Sequence, residues 1–110
     1  MLILFDHVTP KGIARALPGH TVSKAKDRGW DTLSNGDLLA AGEQAGFDVL
    51  VTADKNMRYQ QNLRGRRIGI VVLNSLFLKM ASIAALAPQV QSALDGGLAP
   101  GAFLIIDPPF

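Results

Sequence analysis

Three aspartates that are far apart in the sequence are the residues best suited to chemistry in this 110-residue chain. Asp6 and Asp54 each end a short apolar run, and such runs are typical of strands buried on both faces of a parallel sheet. Because ligands bind at the carboxyl ends of parallel strands, we expect both carboxylates at one edge. Two like charges there repel each other, and a divalent cation relieves the repulsion. Oxygen ligands without cysteine favour Mg²⁺ or Mn²⁺.

Asp37 is the third acid that we expect at this edge, because it lies in the first turn of a predicted helix. Ser34 is the predicted N-cap, and Asp37 follows three residues later, as in a capping box. A capping residue stabilises a helix by about 0.5–2 kcal/mol without any catalysis, so Asp37 also has a purely structural interpretation. The candidate catalytic and metal-binding residues are therefore Asp6, Asp37 and Asp54. Metal ions held by carboxylates activate water and neutralise phosphate charge, which favours phosphodiester hydrolysis.

A basic segment follows Asp54. Residues 55–67 contain five lysines and arginines and no acid. Such a segment is either a solvated face or a surface that follows a sugar-phosphate backbone. The histidine beside Asp6 either contacts phosphate or water, or is a partly buried polar neighbour. The candidate residues for contact with the backbone or bases of a nucleic acid are His7, Lys55, Arg58, Tyr59, Gln60 and Arg64.

The elements that must position these residues alternate along the chain. Strands are predicted at 2–6, 20–25, 49–54, 68–74 and 102–107, and helices at 10–17, 34–46, 56–63 and 76–94. The second strand is the least hydrophobic and is expected near an edge. Proline 88 is expected to interrupt or kink the last helix. This alternation predicts right-handed βαβ units, and hence an α/β fold with a mostly parallel sheet and helices on both faces.

Composition excludes several classes of protein. With 48% hydrophobic and 18% charged residues, the chain is not intrinsically disordered. It has no cysteine, which excludes disulfides, zinc-thiolate sites and a cysteine nucleophile. We expect a single domain over residues 1–110, in the cytoplasm and not in a membrane, since no apolar run is long enough to span one. The net charge of +2 is too small to establish a nucleic-acid partner by itself.

Several short segments occur in order along the chain: Asp6 with the following Pro10, Gly19-His-Thr-Val22, Asn35-Gly-Asp-Leu-Leu39, Val51-Thr-Ala-Asp54, Tyr59-Gln-Gln-Asn-Leu63 and Gly65-Arg-Arg-Ile68. Taken together, they resemble the small PIN-like domains related to VapC toxins, and in particular the compact bacterial PIN-like proteins. The resemblance covers about residues 1–75. The chain departs from the pattern at His7, where relatives often have an acid, and at Asn74, since no fourth acid is evident.

The resemblance implies a three-layer α/β/α fold and a Mg²⁺ or Mn²⁺ site formed by Asp6, Asp37 and Asp54. It also implies cleavage of single-stranded RNA, by a toxin that a small antitoxin protein neutralises. The alternative is a non-catalytic RNA-binding or regulatory protein with a degraded acidic site. A phosphoacceptor signalling domain also places aspartates at strand ends, but it needs a lysine near a late strand end, and only Lys79 follows residue 55.

The predicted helix at 76–94 indicates a protein partner. Its apolar residues are too numerous for one buried stripe if the helix lies on the surface, and exposed apolar area of that kind marks an interface. The alternative is a helix buried in its own small core. The first interpretation predicts a homodimer or higher oligomer, an antitoxin complex, or both.

Overall fold

The computed structural model describes residues 1–6, 17, 19–52, 67–73, 80–97 and 101–106. The strands are β1 (Leu2–Phe5), β2 (Thr21–Lys24), β3 (Val49–Thr52), β4 (Gly69–Leu73) and β5 (Phe103–Ile106). The helices are α1 (Asn35–Gln44) and α2 (Met80–Asp95), and a 3₁₀ turn covers Lys26–Arg28. All five strands were predicted to within about two residues at each described end. The predicted helices at 10–17 and 56–63 lie outside the described residues.

The strands form one parallel sheet in the order β2-β1-β3-β4-β5. The chain therefore leaves β1 to one side for β2 and then crosses to the other side for β3. Ligands of doubly wound α/β folds bind at this reversal, and this strand order puts it between β1 and β3. The α/β class and the edge position predicted for the second strand are both confirmed.

Two hydrophobic clusters lie on opposite faces of the sheet. Ile3, Phe5 and Val51 belong to the cluster under α2, to which that helix contributes Val90 and Leu94. The alternate strand residues face the cluster under α1, which comprises Leu4, Ala25, Leu38, Leu39, Phe47, Leu50, Ile68, Ile70 and Val72. Alternate positions of a strand point to opposite faces, so strands that are apolar throughout must be covered on both. This double burial explains why β1, β3 and β4 are nearly continuous apolar runs in the sequence.

Helix α1 begins and ends where its sequence indicates. Ser34 is the N-cap, and its Oγ accepts the Asp37 backbone N–H at 3.3 Å. Ala45 is the C-cap, and Gly46 follows with φ of +88°, a conformation that glycine adopts at little cost. Within the helix, a Cβ on Gly42 would lie 3.0 Å from Leu4 Cδ2 and 3.2 Å from Ile68 Cδ1. The absence of a side chain there lets the helix approach the sheet closely.

Helix α2 is continuous across Pro88, so the expected interruption at this proline is wrong. Proline removes one backbone hydrogen bond and crowds the preceding turn. Pro88 is exposed, and water can satisfy the carbonyl that loses its partner, so packing of Val90 and Leu94 on the sheet keeps the helix whole. Among the described helices, none has the length and apolar character needed to cross a bilayer.

Candidate functional site

The carboxyl ends of β1 and β3 bring a buried acid and a buried hydroxyl together. Phe5 is in register with Val51, so the residues that follow them are neighbours. The Asp6 backbone N–H donates to the Val51 carbonyl at 3.4 Å, and the Thr52 hydroxyl donates to Asp6 Oδ2. Asp6 is only 5% exposed and Thr52 is fully buried. Two polar side chains in a hydrophobic interior are therefore held against each other at the point where the strand order reverses.

Thr52 is a functional candidate that the sequence analysis missed. Its residue type suits a strand, because β-branched side chains favour sheets, so it reads as ordinary strand material. The available signal is its position as the last residue of β3, the only polar residue of that strand and two positions before Asp54. A hydroxyl that donates to a carboxylate restricts the orientation of that carboxylate and makes a charge-assisted bond.

Asp37 lies toward the same edge of the sheet. The last turn of α1 lies at the opposite edge, because the Glu43 carboxylate accepts the backbone N–H groups of Arg67 and Ile68, just before β4. The first turn of α1 therefore points toward the carboxyl ends of the strands. The Asp37 side chain is exposed, and the bond to the cap residue is donated by the Asp37 backbone N–H to Ser34 Oγ. The capping function and a metal-binding function are thus compatible in this residue.

The described part of the chain contains two of the three predicted acids. Asp54 lies outside the described residues, and so do all six candidate RNA-binding residues, His7, Lys55, Arg58, Tyr59, Gln60 and Arg64. Within the described ranges, no group of three or more His, Asp or Glu side chains is arranged to hold a metal ion. Asp6 and Thr52 supply only oxygen donors, which is the donor chemistry that Mg²⁺ and Mn²⁺ prefer.

The acids at the amino edge of the sheet have structural contacts instead. The Asp48 carboxylate accepts the Leu2 backbone N–H at 2.8 Å and so fixes the start of β1 beside the start of β3. The Glu43 carboxylate accepts the Arg67 N–H at 3.0 Å. A cleft of about 210 Å³ lies between these acids, lined by Glu43, Gly46, Phe47, Asp48 and Arg67.

A contact between His20, which directly precedes β2, and the half-exposed Asp95 connects this side of the sheet to the end of α2. His20 Nε2 lies 2.6 Å from Asp95 Oδ1, and the His20 side chain is 8% exposed. The other ring nitrogen, Nδ1, is buried and has no hydrogen-bond partner among the described residues. Asp95 is the last residue of α2, where a carboxylate opposes the helix dipole, so a histidine donor there offsets an unfavourable position.

The aromatic residue Trp30 packs into the protein. Its ring meets Phe47 edge-on, with centroids 6.1 Å apart, and the Arg28 guanidinium lies over both rings at 5.4 and 4.8 Å. These contacts place Trp30 with the hydrophobic cluster under α1.

Comparison of the chain with protein-family models, with curated proteins and with solved structures found no match.

Proposed function

We propose that the chain is a metal-dependent ribonuclease that cleaves single-stranded RNA. The observation that carries the proposal is the buried Asp6 carboxylate, which accepts the Thr52 hydroxyl where the strand order reverses. The first turn of α1 brings Asp37 toward the same edge. Asp54 follows Thr52 by two residues in the sequence and supplies the third carboxylate of the proposed site.

The proposed architecture is the three-layer α/β/α arrangement of PIN-like domains. Two observations support it: the sheet is parallel throughout its five strands, and each face carries its own hydrophobic cluster. Helix α1 contributes to one cluster and α2 to the other. The PIN-like sequence segments include the end of β1, the first turn of α1 and the end of β3, which are the three places that supply the proposed acids.

In this proposal Asp6, Asp37 and Asp54 hold Mg²⁺ or Mn²⁺. When bound, the ion supplies Lewis acidity toward water and the scissile phosphate. The buried position of Asp6 keeps one ligand fixed before substrate arrives, and Thr52 maintains its orientation. The residues proposed to hold the RNA backbone and bases are His7, Lys55, Arg58, Tyr59, Gln60 and Arg64. We further propose that the protein is the toxin of a type II pair, neutralised by a small antitoxin protein.

The direct test is cleavage of a fluorescently labelled single-stranded RNA by the purified chain. We expect cleavage with Mn²⁺ or Mg²⁺ and none with excess EDTA, because the proposed site needs the metal ion to activate water and to neutralise the phosphate charge. Restoring the metal after EDTA treatment should restore cleavage. Cleavage that persists in EDTA would contradict the proposal. Binding of several RNAs without turnover in either metal would instead identify a non-catalytic RNA-binding protein.

Replacing Thr52 with valine tests whether its hydroxyl positions Asp6. Valine keeps the shape and burial of threonine but removes the donor to Asp6 Oδ2. Partners that orient a metal ligand are typically worth about 10- to 100-fold in metal affinity or activity, so we expect a loss of that order. Activity should return in part at higher Mn²⁺ concentration.

Thr52→Ser is the matched variant, because serine retains the hydroxyl and loses only a methyl group. We expect it to retain most of the activity. If the valine variant cleaves RNA as fast as the original chain at limiting Mn²⁺, Thr52 has no positioning function. A serine variant as impaired as the valine variant would instead indicate that packing of the methyl group matters.

A further inference from the structure

The two edges of the sheet differ in polarity. The edge strand β2 carries Thr21, Ser23 and Lys24, and polar or charged side chains of this kind protect an edge from pairing with another chain. The other edge strand, β5, is Phe-Leu-Ile-Ile and has no polar side chain. Phe103 is 38% exposed and is the only large hydrophobic side chain that is exposed among the described residues. Among the described residues, the apolar edge therefore lacks the polar side chains that protect the other edge.

The hydrogen-bonding groups on the outer side of β5 can be assigned from its pairing with β4. The Ile70 backbone N–H donates to the Ala102 carbonyl at 2.8 Å. In a parallel pair, the backbone groups of alternate residues point to the same neighbour, so Ala102, Leu104 and Ile106 face β4. The N–H and C=O groups of Phe103 and Ile105 therefore point away from the sheet. The described part of the chain places no strand on that side.

We propose that β5 pairs with β5 of a second copy of this chain, in an antiparallel register centred on Leu104. In this register Phe103 lies opposite Ile105 of the second copy. By the two-fold symmetry, Ile105 lies opposite Phe103 of the second copy. Both are pairs of outward-facing residues, so each exchanges two hydrogen bonds, four in all. The inference concerns assembly and does not depend on the proposed nuclease activity.

Side-chain faces agree with the same register. Ile105 packs against the cluster under α1, and Leu104 packs against the cluster under α2. A two-fold axis perpendicular to the sheet keeps each face continuous across the two copies. Phe103 is on the face of Ile105 by alternation, so it covers Ile105 of the second copy, an aromatic and β-branched pair of the kind that stabilises sheets. Leu104 of one copy lies opposite Leu104 of the other.

Charge also favours a second copy as the partner. Between residues 68 and 106 the sequence contains only two charged residues, Lys79 and Asp95. Asp95 is paired with His20 within the chain. An isologous contact through β5 therefore brings no strand charges of the same sign together, whereas the same contact through β2 would bring Lys24 near its copy. The self-complementary and uncharged strand fits a homodimer better than it fits a charged partner.

Disulfide trapping tests the register directly, since the chain has no cysteine of its own. In the proposed dimer, the two copies of residue 104 form a non-hydrogen-bonded pair, with Cα atoms about 4.5 Å apart. That separation permits a disulfide. We expect Leu104→Cys to form a covalent dimer under mild oxidation. Phe103→Cys is the matched control, because its two copies would lie roughly 9 Å apart, too far for a disulfide.

Sedimentation of the full chain without cysteines tests the assembly itself. We expect a concentration-dependent mass that reaches twice that of the monomer. Phe103→Pro removes one outward N–H from each copy but no bond to β4. The two lost hydrogen bonds should raise the dimer dissociation constant by at least roughly 30-fold, and loss of the two contacts between Phe103 and Ile105 adds to this effect. Thr21→Lys, on the other edge, should leave the dimer intact. A monomer at all concentrations, or failure of Leu104→Cys to cross-link, would overturn the proposal.

Discussion

Asp6→Asn is expected to lower RNA cleavage by more than about a hundredfold at saturating Mn²⁺. Asparagine has nearly the shape of aspartate, and its carbonyl oxygen can still accept the Thr52 hydroxyl, so the fold should be retained. The variant loses the negative charge that holds the cation. Removing a residue that hydrogen-bonds to a metal ligand typically lowers metal affinity or activity by about 10- to 100-fold, so removing the ligand itself should lower activity further. The measurement is the single-turnover cleavage rate of labelled single-stranded RNA.

Asp48→Asn is the matched control for this variant. Asp48 accepts the Leu2 backbone N–H at the amino-terminal ends of the strands, whereas Asp6 lies at their carboxyl-terminal ends. We expect it to reduce stability slightly and to leave the cleavage rate unchanged. If the protein is a toxin, expression of the original chain should arrest bacterial growth, and the Asp6 variant should not. Equal cleavage by the Asp6 and Asp48 variants would exclude the proposed site.

Leu50→Ala is expected to have the largest effect on stability. Leu50 is fully buried in β3, which lies between β1 and β4, and it faces the cluster under α1. Truncation of a buried leucine costs about 2–5 kcal/mol, because it loses apolar contacts and leaves a cavity. That is a large fraction of the roughly 5–15 kcal/mol by which domains of this kind are stable. The measurement is the free energy of unfolding in urea.

Leu2→Ala provides the comparison for Leu50. Leu2 is also a strand leucine and packs against the same cluster, but it is only partly buried. Its truncation should cost clearly less, since the lost stabilisation follows the apolar area removed from water. If the two substitutions lower the free energy of unfolding by the same amount, the centre of the sheet is not the best-packed part of the protein. A change in the slope of the free energy of unfolding against urea concentration would indicate a change in the unfolded state instead.

The sequence predicts the sheet well because its central strands are apolar at every position except Thr52. A run such as Ile68–Leu73 has no polar face, and a strand covered on both sides is the simplest structure for it. The helix start at Ser34 is equally evident, because its cap chemistry is local in the sequence. Both features depend on residues that are close together along the chain, and this is why they can be read without a structure.

The contacts that the sequence does not indicate join residues that are distant along the chain. Thr52 and Asp6 are 46 residues apart, and Asp48 contacts Leu2 at the same separation. Residue type alone does not distinguish a threonine that supports an acid from one that only favours a strand. Pro88 shows the converse, because its local preference against a helix is overridden by the packing of α2 on the sheet.

The pairing of β1 with β3 has a consequence for the order of folding. It joins segments about 46 residues apart, whereas β1 with β2 and β3 with β4 each join segments about 20 residues apart. Loop closure over the longer distance costs about 0.7 kcal/mol more in chain entropy, so the nearer pairs have a kinetic advantage. Asp6 and Thr52 meet only when the longer closure is complete. A newly made or partly unfolded chain therefore lacks the contact between Asp6 and Thr52, and the proposed phosphodiester cleavage would be confined to the fully folded protein.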